Sequence, residues 1–178
     1  MRCFIAIDLP EKVRKYLLEI QRKFQIISGK FVEFENLHLT IKFLGEIKES
    51  DLNRIEDKLK TIQFKKINAK LGNIGVFPSK ISPHILWVSL EPKDEVKELK
   101  EAIDLSLNSF DFKYEKKFKS HLTLARIKSI KDKNNFLNLL DQVKIVPMEF
   151  EINSFVLRKS TLTENGPIYE DLLRINLI

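Results

Sequence analysis

The sequence predicts an α+β fold written twice, with two lobes packed together as one domain. Three observations carry that prediction. The segment "HLTIKFL" at 38–44 is answered by "HLTLARI" at 121–127, and the two open on two of only three histidines in the chain. Each copy follows a short apolar strand and an amphipathic helix. The offset is also constant: His38 and His121 lie 83 residues apart, and Val13, Tyr16, Ile20 and Phe24 shifted by 83 fall on Val96, Leu99, Ile103 and Leu107.

Taken in order, "FIAIDLP" reads as a short buried strand running into a helix start, with Pro10 tolerated in a first helical turn. Val13, Tyr16, Leu17, Ile20 and Phe24 then mark a helix by their three-and-four spacing. The first "HLT" strand leads to a helix with Ser50 as N-cap and a stripe of Leu52, Ile55, Leu59 and Ile62. "LGNIGVF" at 71–77 closes the first half. "ILWVSLEP" opens the second, and the second "HLT" strand precedes a helix with Phe136, Leu139, Leu140 and Val143. "INSFVLR" at 152–158 closes that half, and Gly166-Pro167 marks a turn before a last strand. The organisation is a single domain over 1–178 with repeats of about 1–83 and 84–178, joined near Ser82–His84. No Gly- or Pro-rich linker parts them, so the lobes pack on each other.

A chain of 178 residues can bury one good core, and its 43% hydrophobic and 31% charged content is that of a globular protein. Apolar runs such as Ile85-Leu86-Trp87-Val88 are too short to span a bilayer. The segment "MRCFIAIDLP" does not read as a signal peptide, and the lone cysteine, Cys3, fits a reducing compartment. The expected location is the cytoplasm, with no membrane association. The net charge of +6 favours anionic partners in general. It permits a nucleic acid without establishing one.

Strand alternation gives the repeated motif its meaning. His38 and Thr40 share one face and Leu39 and Ile41 the other; His121 and Thr123 stand likewise against Leu122 and Leu124. Each strand has an oily face for its own lobe and a polar face for something else. If the lobes meet about an approximate two-fold axis, two imidazoles and two hydroxyls line one cleft. Opening a cyclic phosphodiester with water needs a base for the water and an acid for the departing sugar oxygen. Histidine does either near neutral pH. Threonine hydroxyls can donate to phosphoryl oxygens, where charge must be held. Two histidines without nearby carboxylates make a poor cation site, so no metal is expected.

With these motifs the chain resembles the two-histidine (2H) phosphoesterase superfamily, and within it the RNA 2′,3′-cyclic phosphodiesterases, historically called 2′-5′ RNA ligases. The likeness runs through "RCFIAIDLP", "LHLTIKFLGE", "GVFP", "ILWVSL", "FKSHLTLARI" and "GPIYEDL". It implies a bilobal α+β fold, two antiparallel sheets flanking a central cleft with helices outside. It implies hydrolysis of a terminal 2′,3′-cyclic phosphate to a 2′-phosphomonoester, with no metal and no cofactor. The partner would be RNA with such an end, tRNA-derived ends included, met by a monomer. By the same resemblance His38 is the proton donor and His121 the acceptor; the near symmetry of the two sites leaves that choice open to residue chemistry. Thr40 and Thr123 would hold the phosphate, Arg126 would bind that phosphate or a neighbouring one, and Phe77 would lie near the terminal base.

Some of these residues carry competing readings. Plain alternation puts Arg126 on the wrong face, which a strand end or bulge nearby would correct. Lys42, in phase with His38 and Thr40, is the alternative cation. Phe77 is a stacking candidate or one of 13 phenylalanines filling a core. Tyr169 reads as core. His84 reads as a partly exposed residue at a strand start, where relatives often carry arginine. Ser120 replaces a proline usual in the family, which touches the start of the strand more than the chemistry. Two other functions remain open: ATP-independent 2′-5′ ligation in the same pocket, and RNA or nucleotide binding without catalysis.

Overall fold

The computed structural model describes residues 1–178. Its strands are β1 (Arg2–Asp8), β2 (Ile27–Phe31), β3 (His38–Glu46), β4 (Ile67–Pro78), β5 (Pro83–Glu91), β6 (His121–Ile130), β7 (Glu149–Ile152), β8 (Ser154–Thr163) and β9 (Gly166–Asn176). Its helices are α1 (Glu11–Arg22), α2 (Glu49–Lys60), α3 (Lys93–Ser106) and α4 (Lys133–Gln142), with a 3-10 turn at Phe34–Asn36.

The helices form where the stripes demand them. Val13, Leu17 and Ile20 of α1 are buried against the sheet, as are Ile55 and Leu59 of α2, Val96, Leu99 and Ile103 of α3, and Phe136 and Leu140 of α4. Each such side chain contributes about 1.5–3 kcal/mol of burial. The N-cap of α2 differs from the expectation: it is Lys48, with no side-chain cap bond, and Ser50 lies inside the first turn. Buried Ile47, whose amide donates to the Met1 carbonyl, holds the chain extended up to that point. Glu49 and Asp51 then meet the positive end of the helix in place of a cap.

Every strand pairing is antiparallel, and the strands run in the order β7-β4-β5-β6-β3-β1-β8-β9, with β2 also on β6. The two expected sheets are therefore two halves of one curled sheet. They join where β3 meets β6, through the single pair Leu39–Leu122. The halves also trade strands. β1 takes β8 as neighbour, with β9 beyond it, while β5 takes β4 and β6 takes β2, so each half of the sheet contains two strands from the other half of the sequence. "INSFVLR" divides between β7 and β8 at Asn153, and the turn after β8 ends on Gly166, whose φ of 114° suits glycine alone. β2 was not expected. Its sequence, ISGKF, buries only Ile27 and carries no strand pattern.

The two faces of the sheet have different fates. One large core of 36 buried residues lies between the sheet and the four helices. On the opposite face the only buried apolar group is Phe4, Ala6 and Val156, with Tyr169 packed against it. That second face is free to carry a site.

Candidate active site

The two His-x-Thr strands lie side by side. Leu39 pairs with Leu122, and both are fully buried on the helix side. Antiparallel register, carried one residue either way, sets His38 across from Thr123 and Thr40 across from His121 on the opposite face. In a regular ladder the two histidines would then be diagonal neighbours, with Cα atoms about 7–8 Å apart. The ladder holds only that one pair, so on either side of it β3 and β6 are not bonded to each other. All four polar residues are half-buried.

Both imidazoles are fixed the same way. His38 Nδ1 lies 2.6 Å from the Asn36 carbonyl, and His121 Nδ1 lies 2.6 Å from the Lys119 carbonyl. A carbonyl only accepts, so each Nδ1 carries the proton and donates it. Each Nε2 is thereby left for chemistry; that of His38 is 2.8 Å from Thr40 Oγ1. Burial pushes the His38 pKa below the usual histidine value, the Asn36 hydrogen bond opposes that, and nearby Arg158 adds to it while Asp8 opposes.

A matching β-bulge in each motif strand decides which cation reaches the site. In β6, Trp87 pairs with Thr123 and Leu86 with Ala125, leaving Leu124 as the extra residue. Leu124 and Ala125 are both buried, and Arg126 returns to the face of His121 and Thr123. The expected correction of phase is present. In β3, Ala6 pairs with Thr40 and Ile5 with Lys42, with Ile41 extra. Here the bulge turns Lys42 into the protein. Its Nζ is 2.6 Å from Asp104 Oδ1, and Lys100 Nζ is 2.5 Å from the other oxygen of the same carboxylate. The reading of Lys42 as the alternative cleft cation is thus overturned. Phe43, 83 residues before Arg126, stands on the site face and is 60% exposed.

Aromatic rings flank both histidines. Phe77 is half-buried outside the core, its ring 5.0 Å from that of His121 and 4.9 Å from Trp87, with Lys119 Nζ above it at 5.1 Å. Tyr169 meets His38 edge-on at 5.5 Å, and Phe4 lies 5.2 Å from the same ring. The core reading of Tyr169 holds in part: it packs on the small cluster of Phe4, Ala6 and Val156, and its ring also meets His38. The register of β9 on β8 points it there, and its place in "GPIYEDL" was the only sequence signal. Burial raises the Tyr169 pKa, and Arg126, Arg158 and Arg2 pull it back, which brings Arg126 of one half within electrostatic reach of the His38 half.

Behind His38 stands a frame of alternating charge. Arg158 meets Asp8 and Asp171 at 2.6 Å each, and Arg174 meets the same two carboxylates at 2.8 and 3.0 Å. Burial favours the neutral acid in Asp8, yet hydrogen bonds from Arg174 and Arg158 hold its pKa below the usual carboxylate value. With Arg14 and Glu35 the frame borders an open pocket of about 320 Å³. His84 is exposed at the start of β5, as expected, 3.4 Å from Ser82 Oγ. Buried Ser120 donates to the Leu90 carbonyl at 2.8 Å and so secures the start of β6. No three His, Cys, Asp or Glu side chains are grouped to hold a metal ion, and no helix is long and apolar enough to cross a membrane.

Known proteins resemble this chain in sequence and fold. The family model described as LigT-like phosphoesterase matches twice, at residues 7–87 and 88–169. A Methanocaldococcus jannaschii protein named RNA 2′,3′-cyclic phosphodiesterase is 41% identical over 96% of this chain and 97% of its own. A protein of the same name from Archaeoglobus fulgidus is 36% identical over 97% of this chain and 98% of its own. Among solved structures, one from Thermus thermophilus superposes with a TM-score of 0.83 at 29% identity, covering 99% of this chain and 97% of that one. E. coli LigT complexed with 3′-AMP has the same fold, with a TM-score of 0.79 at 24% identity, covering 99% of this chain and 97% of that one. Two matches that together span nearly the whole sequence, on a fold shared from end to end, place the chain in the LigT-like phosphoesterase family.

Proposed function

We propose that the protein hydrolyses the terminal 2′,3′-cyclic phosphate of RNA to a 2′-phosphomonoester, using its two histidines as acid and base and no metal ion. The observation that carries this reading is the doubled His-x-Thr unit with both Nδ1 atoms tied to backbone carbonyls. That tie leaves two Nε2 atoms to serve one phosphorus. The names of the relatives support the same activity. One domain does the work, each sequence repeat supplying one imidazole and one hydroxyl.

In this mechanism His121 Nε2 takes a proton from water as the water oxygen bonds to phosphorus. The bond from phosphorus to the 3′ oxygen breaks, and His38 Nε2 gives that oxygen its proton. The phosphate stays on the 2′ oxygen. Thr40, Thr123 and Arg126 donate to the non-bridging oxygens, whose charge builds in the transition state. Phe77 offers its ring to the terminal base. Because burial lowers the His38 pKa in the free protein, the donor role leans on the substrate: a bound phosphate anion favours the imidazolium. Once it has given its proton, His38 can regain one from His121 by way of water.

Product analysis tests the reading. An oligonucleotide ending in a 2′,3′-cyclic phosphate, incubated in chelator, should give a 2′-phosphate end only. A 3′-phosphate product, or turnover that stops when divalent metal is removed, would exclude the mechanism. A parallel incubation with a 5′-hydroxyl acceptor measures how far ligation competes with water.

A further inference from the structure

We propose that the Asn36 side chain is a positioning residue for His38: by donating to the Pro167 carbonyl it fixes the peptide whose own carbonyl accepts the His38 Nδ1 proton. This rests on the acid–base reading above and adds a residue to it. Asn36 closes the 3-10 turn at Phe34–Asn36, just before β3. Its Nδ2 donates to the Pro167 carbonyl at 3.2 Å, and its own main-chain carbonyl lies 2.6 Å from His38 Nδ1. One half-buried residue thus grips β9 with its side chain and the imidazole with its backbone. Pro167 lies at the start of β9, two residues before Tyr169, whose ring meets His38 edge-on at 5.5 Å. The same tie therefore joins two neighbours of the ring, the carbonyl that takes its proton and the strand that brings the aromatic to it.

The two halves show why a side chain is needed here. Before His121, Ser120 is bonded to β5 twice: its hydroxyl donates to the Leu90 carbonyl at 2.8 Å, and the Leu90 amide donates to the Ser120 carbonyl at 3.2 Å. The adjacent Lys119 carbonyl, which holds His121, is anchored by those bonds. Before His38, the Leu37 amide turns back to the Phe34 carbonyl at 3.4 Å, inside the turn itself. A link from this turn to β9 is what the Asn36 amide supplies. Arg14, 4.8 Å over the Phe34 ring, steadies the other end of the turn.

The chemistry depends on that grip. A neutral imidazole carries one proton, and the hydrogen bond made at one nitrogen decides where the proton sits. With Nδ1–H held by Asn36, Nε2 is the nitrogen left to take up and give away a proton. If the carbonyl drifts, the neutral ring can keep its proton on Nε2, or turn so that Nε2 leaves its 2.8 Å contact with Thr40 Oγ1. The bond from Nδ1 also favours the imidazolium, against the burial that opposes it.

The chain has only three histidines, so nitrogen NMR can read each ring separately. In the unaltered protein, at a pH where the rings are neutral, His38 should carry its proton on Nδ1. Asn36→Ala should move a measurable share of that proton to Nε2 and leave His121 as it was. It should also lower kcat for a 2′,3′-cyclic nucleotide roughly fivefold, the worth of one hydrogen bond, with KM little changed. The alkaline limb of its kcat/KM profile should move to lower pH, since the weakened bond had raised the pKa of a group that works protonated. Should Asn36→Ala fail to fold, Asn36→Ser takes its place: serine suits a turn, and its hydroxyl is too short to reach Pro167. A His38 proton that stays on Nδ1 overturns the proposal whatever happens to kcat, and so does an unchanged kcat. An equal change at His121 also overturns it, as the mark of a general loosening. Should the unaltered protein turn over no cyclic phosphate, the proposed activity falls, and the tautomer of His38 alone then decides the positioning role.

Discussion

The His38 and His121 halves share a plan and differ in electrostatics. Each imidazole is fixed by the carbonyl two residues before it, and each motif strand carries a bulge after its threonine. Around that common frame the surroundings diverge. His38 is enclosed by Phe4 and Tyr169, and behind it the carboxylates and guanidiniums of Asp8, Asp171, Arg158 and Arg174 neutralise one another. His121 has Phe77 at one side, Lys119 above that ring, and Arg126 and Lys30 along the same face with no carboxylate paired to them. One half is a closed, charge-balanced socket for a ring; the other is an open, electropositive approach. In the proposed mechanism the duplicated motif supplies the acid–base pair, and the unlike surroundings are what can give its members different tasks.

The largest effect should come from removing either ring. His38→Ala and His121→Ala should each lower turnover of a cyclic phosphate roughly 10²–10⁴-fold, the range for losing a positioned general acid or base. Unimpaired turnover in either variant would break the pairing. The next concerns a feature present in the first half alone, since Ala125 in β6 occupies the position of Lys42. Asp104→Asn leaves Lys42 and Lys100 facing a neutral amide, both nearly inaccessible to solvent. The fold should lose about 3 kcal/mol in denaturant titration, as expected when a buried pair loses one partner. A loss no greater than at an exposed pair would mean that this cluster does not secure β3 to α3.

The smallest change is the most informative about roles. Arg158 lowers the His38 pKa, so Arg158→Met should raise it, as NMR titration of the ring would show. A donor works while protonated, so the alkaline limb of the kcat/KM profile should move to higher pH in this variant. If His38 were the acceptor, the acid limb would move up instead, and activity at low pH would fall. The same profile should be bell-shaped in the unaltered protein.

Much of this was legible before any coordinates. The alternation of His and Thr against buried Leu placed four site residues on one face, because a strand's side-chain period of two depends on the chain itself. The helix stripes at the 83-residue offset likewise came from local periodicity. Arg126 and Lys42 show where that legibility ends. Both lie beyond a bulge, and a bulge is a mismatch between two strands, which one strand's sequence does not display. The bulge brought Arg126 to the site and took Lys42 away from it. The contact of Tyr169 with His38 was missed for a related reason: its face follows from the register of β9 on β8. β2 had no signal at all, since its segment has no hydrophobic pattern and becomes a strand only by closing on β6.

By itself, then, the sequence determined the elements, the duplication of the motif and the identity of the two imidazoles. Those depend on side chains close together along the chain, and local periodicity records them. Only the tertiary structure decided which cations share the face of the histidines, which aromatic rings enclose each histidine, and how the two halves exchange β2 and β4 for β8 and β9. Each of those is set by the register between strands distant in sequence, where a shift of one residue sends a side chain to the opposite face.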